Sequence, residues 1–110
     1  MIDINDFLKI DIRVGTITKV KDFKDALVPS LKLWIDFGDK IGTLKSSAHI
    51  TQHYSSQNLI GKQIVAVVNL PSKQIATFMS ECLILGLPDQ TGKVVLLQPE
   101  HTVPNGGRLY

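Results

Sequence analysis

Ile10-Asp-Ile-Arg-Val-Gly-Thr-Ile-Thr-Lys-Val20 is the stretch that decides the fold. Ile10, Ile12 and Val14 alternate with Asp11 and Arg13, the period of a strand with one buried face. After Gly15 the pattern slips, and Ile17 falls on the other parity. A glycine at a parity change predicts a bulge or a sharp bend. A long first strand that bends serves two sides of a small closed sheet.

The remaining segments extend that sheet. Leu31, Leu33, Ile35 and Phe37 alternate with Lys32, Trp34 and Asp36, which puts Trp34 on the polar parity. Gly38-Asp39-Lys40 reads as a hairpin turn, with Ile41 to Leu44 returning. Ser46 to Tyr54 predicts a turn feeding a short helix capped by Ser47, and Ser55 to Asn58 a loop. Ile64 to Val68 has no alternation, as for a strand buried on both faces. Leu83–Leu85 and Val94–Leu97 are expected to complete the sheet across a turn at residues 89–92. At the start, Asp3 caps a short helix, Asp6 follows three residues later, and Ile4, Phe7 and Leu8 share its face. Ile2 is placed to staple onto Phe7. Pro99, Pro104 and Asn105-Gly-Gly107 make an irregular tail. Five or more strands with a helix between the third and fourth give an all-β OB-fold, a five-stranded Greek-key β-barrel. A generic small barrel or sandwich is the nearest alternative.

The chain has 110 residues, which suits one domain over 1–110. Twelve basic residues face ten acidic ones, mixed along the chain, and only Arg13 and Arg108 are arginines. That is a weak electrostatic case for nucleic acid, although a patch assembled in three dimensions or across a dimer stays open. Cys82 is the lone cysteine and reads as a buried, inert thiol. The N-terminus is acidic with no long apolar region after it, and no run approaches a membrane span. A cytoplasmic protein with no membrane insertion is expected.

Enzyme signatures are scarce, and no catalytic residue or cofactor is expected. The sequence has no glycine-rich phosphate loop, paired-cysteine motif or nucleophile elbow. His49 and His53 are four apart, but a zinc site needs further ligands and His101 is distant, so no metal is expected either. Ser46, Ser47 and Ser80 match a hydrolytic triad only on paper.

The connector Asn69 to Gly86 is the best candidate site. It holds one cation (Lys73), one anion (Glu81), an amide (Asn69) and the apolar Ile75, Phe78 and Met79. Connectors lie on the surface and often carry function. The three apolar residues either turn inward as the core face of an extra strand or line an apolar groove or subunit contact. Trp34 likewise either covers the outer wall or makes an aromatic contact in a groove, stacking on a base being one version.

Asp6 to Ile17 with its Asp-x-Arg-x-Gly-x-Ile pattern, Leu31 to Gly38, Ser46 to Thr51, Val67 to Pro71, Ser80-Glu81, Val94 to Pro99 and Val103 to Gly106 cover nearly the whole chain. Together they resemble the tRNA-binding domain family, and within it the CsaA-type export-related chaperones. The resemblance implies an OB-fold, a homodimer held by segments at both chain ends, and no catalysis. It also splits on ligand. Members that bind tRNA carry a basic cluster after the Asn-Leu pair, then Gly, then Ser-Glu-Gly-Met. Here Asn69, Lys73, Ser80 and Glu81 match, while Gln74, Ala76, Thr77, Cys82 and Leu83 depart. The CsaA-type pattern fits better through Ile75-Ala76 and Phe78. It implies binding of unfolded or precursor polypeptides and work with the secretion machinery. The expected peptide groove is Ile75, Phe78 and Met79 with Trp34. Asn69, Lys73, Ser80 and Arg13 are the residues for tRNA, the alternative ligand.

Overall fold

The computed structural model describes residues 1–110. It begins with α1 (Ile4–Leu8), capped as expected: the Asp3 carboxylate accepts from the Asp6 amide, and Asp6 reciprocates. None of its residues is buried. The barrel strands are β1 (Ile12–Asp22), β2 (Leu31–Asp36), β3 (Thr43–Ala48), β4 (Gln63–Val67) and β7 (Leu83–Ile84), ordered β3-β2-β1-β4-β7. The chain closes β7 back toward β3 where the Glu81 amide donates to the Lys45 carbonyl at 2.8 Å. This is the OB-fold order, with α2 (Ser56–Leu59) between the third and fourth strands. Ile17, Leu33, Ile35, Phe37, Leu59 and Ile64 fill the interior.

β1 changes partner along its length. Residues 12–16 pair with β4, and residues 16–22 pair with β2. Gly15 sits at the change. A Cβ there would lie 2.6 Å from Ile35 Cγ2 and 2.9 Å from the Asp36 carbonyl oxygen, so a side chain would block the bend. The bulge expected at the glycine lies further on, between Ile17 and Lys19. Gly15 supplies close approach, and the register slip follows it. Ile12 and Val14 are buried but stand outside the interior cluster. The C-terminal tail covers that stretch: Gly106 and Leu109 amides donate to the Val14 and Ile12 carbonyls, and the Val14 amide donates to Gly107. The tail thus satisfies β1 backbone groups where β2 stops.

Three local expectations change. Ser46 and Ser47 belong to β3, not to a turn, and no helix spans 46–54. Ser46 is buried because its hydroxyl donates to the Cys82 carbonyl at 2.9 Å. The helix instead starts at Ser56, within the expected loop, and the Asn58 side chain accepts from the Ser55 amide. Residues 94–97 do not complete the barrel: β9 (Val94–Leu96) pairs with β8 (Gly86–Pro88) as a separate hairpin. Its turn at Asp89 is as expected, the carboxylate accepting from the Thr91 and Lys93 amides. The connector is itself a hairpin, β5 (Lys73–Ile75) and β6 (Phe78–Ser80). Ala76 in its tip takes a φ of 51°.

Candidate functional site

Strand parity builds one face. With Leu31, Leu33 and Ile35 turned inward, Lys32 and Trp34 turn outward on β2. Register places Lys19 and Lys45 beside Trp34, and Lys21 opposite Lys32. Four lysines and a tryptophan therefore share the outer wall of β1, β2 and β3. The cation patch that composition could not show is assembled here. Its signal lay in the polar parity of these strands, spread over 27 residues of sequence between Lys19 and Lys45.

The β5–β6 hairpin folds onto this wall through Phe78, with the Ser80 hydroxyl accepting from the Ser47 amide at its base. Phe78 is 6% exposed. Its ring meets Phe23 edge-on at 5.6 Å and Trp34 at 5.8 Å between centroids. Lys32 and Lys45 each bring Nζ to 5.2 Å from the Phe78 centroid, and Lys19 sits 4.7 Å over Trp34. These are cation–π distances, and they hold the lysine ammonium groups over the aromatic group. None of the four wall lysines belongs to an ion pair; the ion pairs join Asp6 to Lys9, Asp11 to Arg13 and Arg108, and Asp89 to His53.

Register within the hairpin divides its residues. Lys73, Ile75, Phe78 and Ser80 share the face toward the barrel, and Gln74 and Met79 share the other. Under the first face runs a groove of about 260 Å3. Leu70, Pro71, Ile75 and Leu83 give it apolar walls; Ser47, Lys73 and Glu81 give it a polar rim. The hairpin is a two-stranded sheet of its own, so β5 keeps one edge without a strand partner.

The expected residues separate accordingly. Ile75, Lys73 and Ser80 line the groove. Phe78 and Trp34 do not: they pack on each other beside it, Phe78 being buried as the hairpin's contact with the wall. Met79 points away. Asn69 is committed elsewhere: its side chain accepts from the Asp11 amide at 2.9 Å and donates to the Lys9 carbonyl at 2.8 Å. Arg13 is held by Asp11 at 2.6 Å and by the Gly106 carbonyl at 3.0 Å. Arg108 bridges to Arg13 in a strand-like contact within the same chain and donates to the Leu8 carbonyl. Glu81 accepts from the Lys45 amide at 3.0 Å. Burial, reinforced by the Glu81 charge, pushes the Cys82 thiol up to about 12, so it is no nucleophile.

The histidines do not converge. His53 bonds Asp89 at 2.7 Å and, with the Lys93 and Thr91 amides, holds that carboxyl well below the usual range. His49 lies against the Pro29 carbonyl. No three His, Cys, Asp or Glu side chains gather as metal ligands.

A second, shallower cleft of about 550 Å3 lies at the chain ends, lined by Val14, Val65, Leu97, Val103, Leu109 and Tyr110. Ile2, Ile4 and Leu8 of the N-terminal segment are exposed, and Arg108 ties that segment to the tail.

Comparisons with known proteins agree with this architecture. The family described as "Putative tRNA binding domain" matches residues 12–108. Two crystal structures of CsaA chaperones superpose over the whole chain. The Picrophilus torridus protein is 54% identical with a TM-score of 0.92, and covers 100% of each chain. The Bacillus anthracis protein is 50% identical with a TM-score of 0.93, covering 100% of this chain and 99% of its own. The methionine–tRNA ligase of Chlorobium phaeobacteroides is 33% identical over 99% of this chain, which spans 15% of the ligase.

Proposed function

The chain belongs to the tRNA-binding domain family, and from that premise we propose that it is a non-enzymatic, homodimeric polypeptide-binding protein of the CsaA chaperone type. It acts as one domain in the cytoplasm, where a lone buried thiol needs no partner. It takes unfolded or precursor segments in the hairpin groove, with the secretion machinery as the partner implied by the branch it resembles. The observation that carries this reading is the groove itself. Apolar walls accept side chains, and the free edge of β5 offers backbone groups to an extended chain, the strand-addition mode of peptide recognition. Burying apolar surface contributes about 25 cal/mol per Å2 before ordering costs, so affinity is modest and sequence-tolerant.

The homodimer rests on the chain ends. A five-residue helix with no buried residue does not persist alone. Its exposed Ile4 and Leu8, with Leu109 and Tyr110 beside the terminal cleft, form a surface that a second copy covers.

A second reading, tRNA binding, is favoured by the four wall lysines and Trp34, and by the relatedness to the methionine–tRNA ligase domain. Lysines beside an aromatic ring suit phosphates beside a stacked base.

Three outcomes are expected. In an aggregation-suppression assay, Ile75→Ser with Leu83→Ser weakens client protection about three- to tenfold, and Met79→Ser leaves it unchanged. The reverse pattern would remove the groove from the account. Light scattering at micromolar concentration returns twice the chain mass; a monomer rejects the dimer. If tRNA is a ligand through four phosphate contacts, its affinity falls on the order of a hundredfold between about 50 and 200 mM salt. A flat salt response, or one unchanged by glutamine at Lys19, Lys21, Lys32 and Lys45, excludes that reading.

A further inference from the structure

The groove and the lysine wall are continuous. Ser47 lines the groove, pairs with Lys32 across β2 and β3, and lies two residues from Lys45 on the same face. Lys73 lines the groove directly. The one carboxylate of the lining, Glu81, already accepts from the Lys45 amide. Any chain leaving the groove toward β3 thus passes Lys32 and Lys45, and neither is in an ion pair.

The wall also carries an arrangement that folding alone disfavours. Lys21 stands directly opposite Lys32 on the neighbouring strand. Like charges in that relation repel, and sheets normally place opposite charges there. Local rules are broken most often where a ligand compensates. The ammonium groups of Lys32 and Lys45 already sit over aromatic rings, so less side-chain freedom is lost when an anion approaches their outer side.

We propose that the groove selects apolar segments flanked by glutamate or aspartate, its walls taking the apolar side chains and Lys32, Lys45 and Lys73 meeting the flanking carboxylates. This rests on the polypeptide reading above. It also supplies discrimination: a segment flanked by lysine or arginine meets repulsion from the same face that attracts the acidic one.

The test uses three fluorescein-labelled peptides with one shared Leu/Val core and flanks of glutamate, glutamine or lysine, measured by anisotropy on the full chain. The glutamate peptide is expected to bind about three- to tenfold tighter than the glutamine peptide, and the lysine peptide weaker still. The spread narrows between about 50 and 300 mM salt as screening shortens. Lys32→Gln with Lys45→Gln abolishes the order, and Lys32→Glu with Lys45→Glu reverses it, with melting curves confirming that each variant folds. Equal binding of all three peptides overturns the proposal and leaves the groove standing. Tightest binding of the lysine peptide also overturns it. Binding of no peptide at all removes the groove reading together with it. If glutamate and glutamine peptides bind alike while tRNA binds tightly and loses affinity in the Lys32→Gln, Lys45→Gln variant, the lysines serve phosphate and the proposal fails.

Discussion

The seating of Phe78 between Phe23 and Trp34 is the contact on which the rest of the surface depends. A two-stranded hairpin of three residues per strand is marginal alone. It persists chiefly because one aromatic ring is buried on the outside of the nearly closed barrel. Burying a phenylalanine contributes about 1.5–3 kcal/mol, and edge-on aromatic pairs add about 0.5–1.5 kcal/mol each. That offsets the strain of Ala76 at positive φ, about 1 kcal/mol. Once seated, the hairpin roofs the groove, orders Lys32 and Lys45, and sets Ile75 over the apolar wall.

Two other devices hold the base of this surface. Asn69 ties the end of β4 to the backbone before β1, so the connector leaves the barrel at a fixed place. Glu81 and Ser80 then return it to β3, bonding the Lys45 and Ser47 amides. Of the side chains that match the family's tRNA-binding pattern, Asn69, Ser80 and Glu81 are thus engaged with backbone, and Lys73 is not. The residues free to meet a ligand are those between them and the lysines across the wall. Polypeptide and tRNA readings consequently draw on adjoining parts of one surface.

Much of the barrel was legible in the sequence. Alternation from Leu31 to Phe37 and the unbroken run at Ile64 fixed two strands, and the slip at Gly15 marked the bend. Ser46 and Ser47 misled because serine favours turns locally, whereas here a buried hydroxyl bond to the Cys82 carbonyl carries the strand onward. Val94 to Leu97 has the look of a core strand, but its partner, residues 86–88, contains glycine and proline and gave no strand signal. At the site, apolar content marked the connector as the candidate binding segment, and parity had already placed Trp34 outward. The separation of Met79 from Ile75 and Phe78 needed the hairpin register, and the lysine wall needed pairing between strands remote in sequence. Neither is visible without tertiary structure.

Amide hydrogen exchange of the Phe78→Ala variant against the parent chain, each with and without an apolar peptide, tests the central claim most directly. The account predicts fast exchange across residues 73–81, retained protection in β1, β2 and β4, and loss of the peptide's protective effect. Unchanged protection of the hairpin, or peptide protection that survives the substitution, would contradict it.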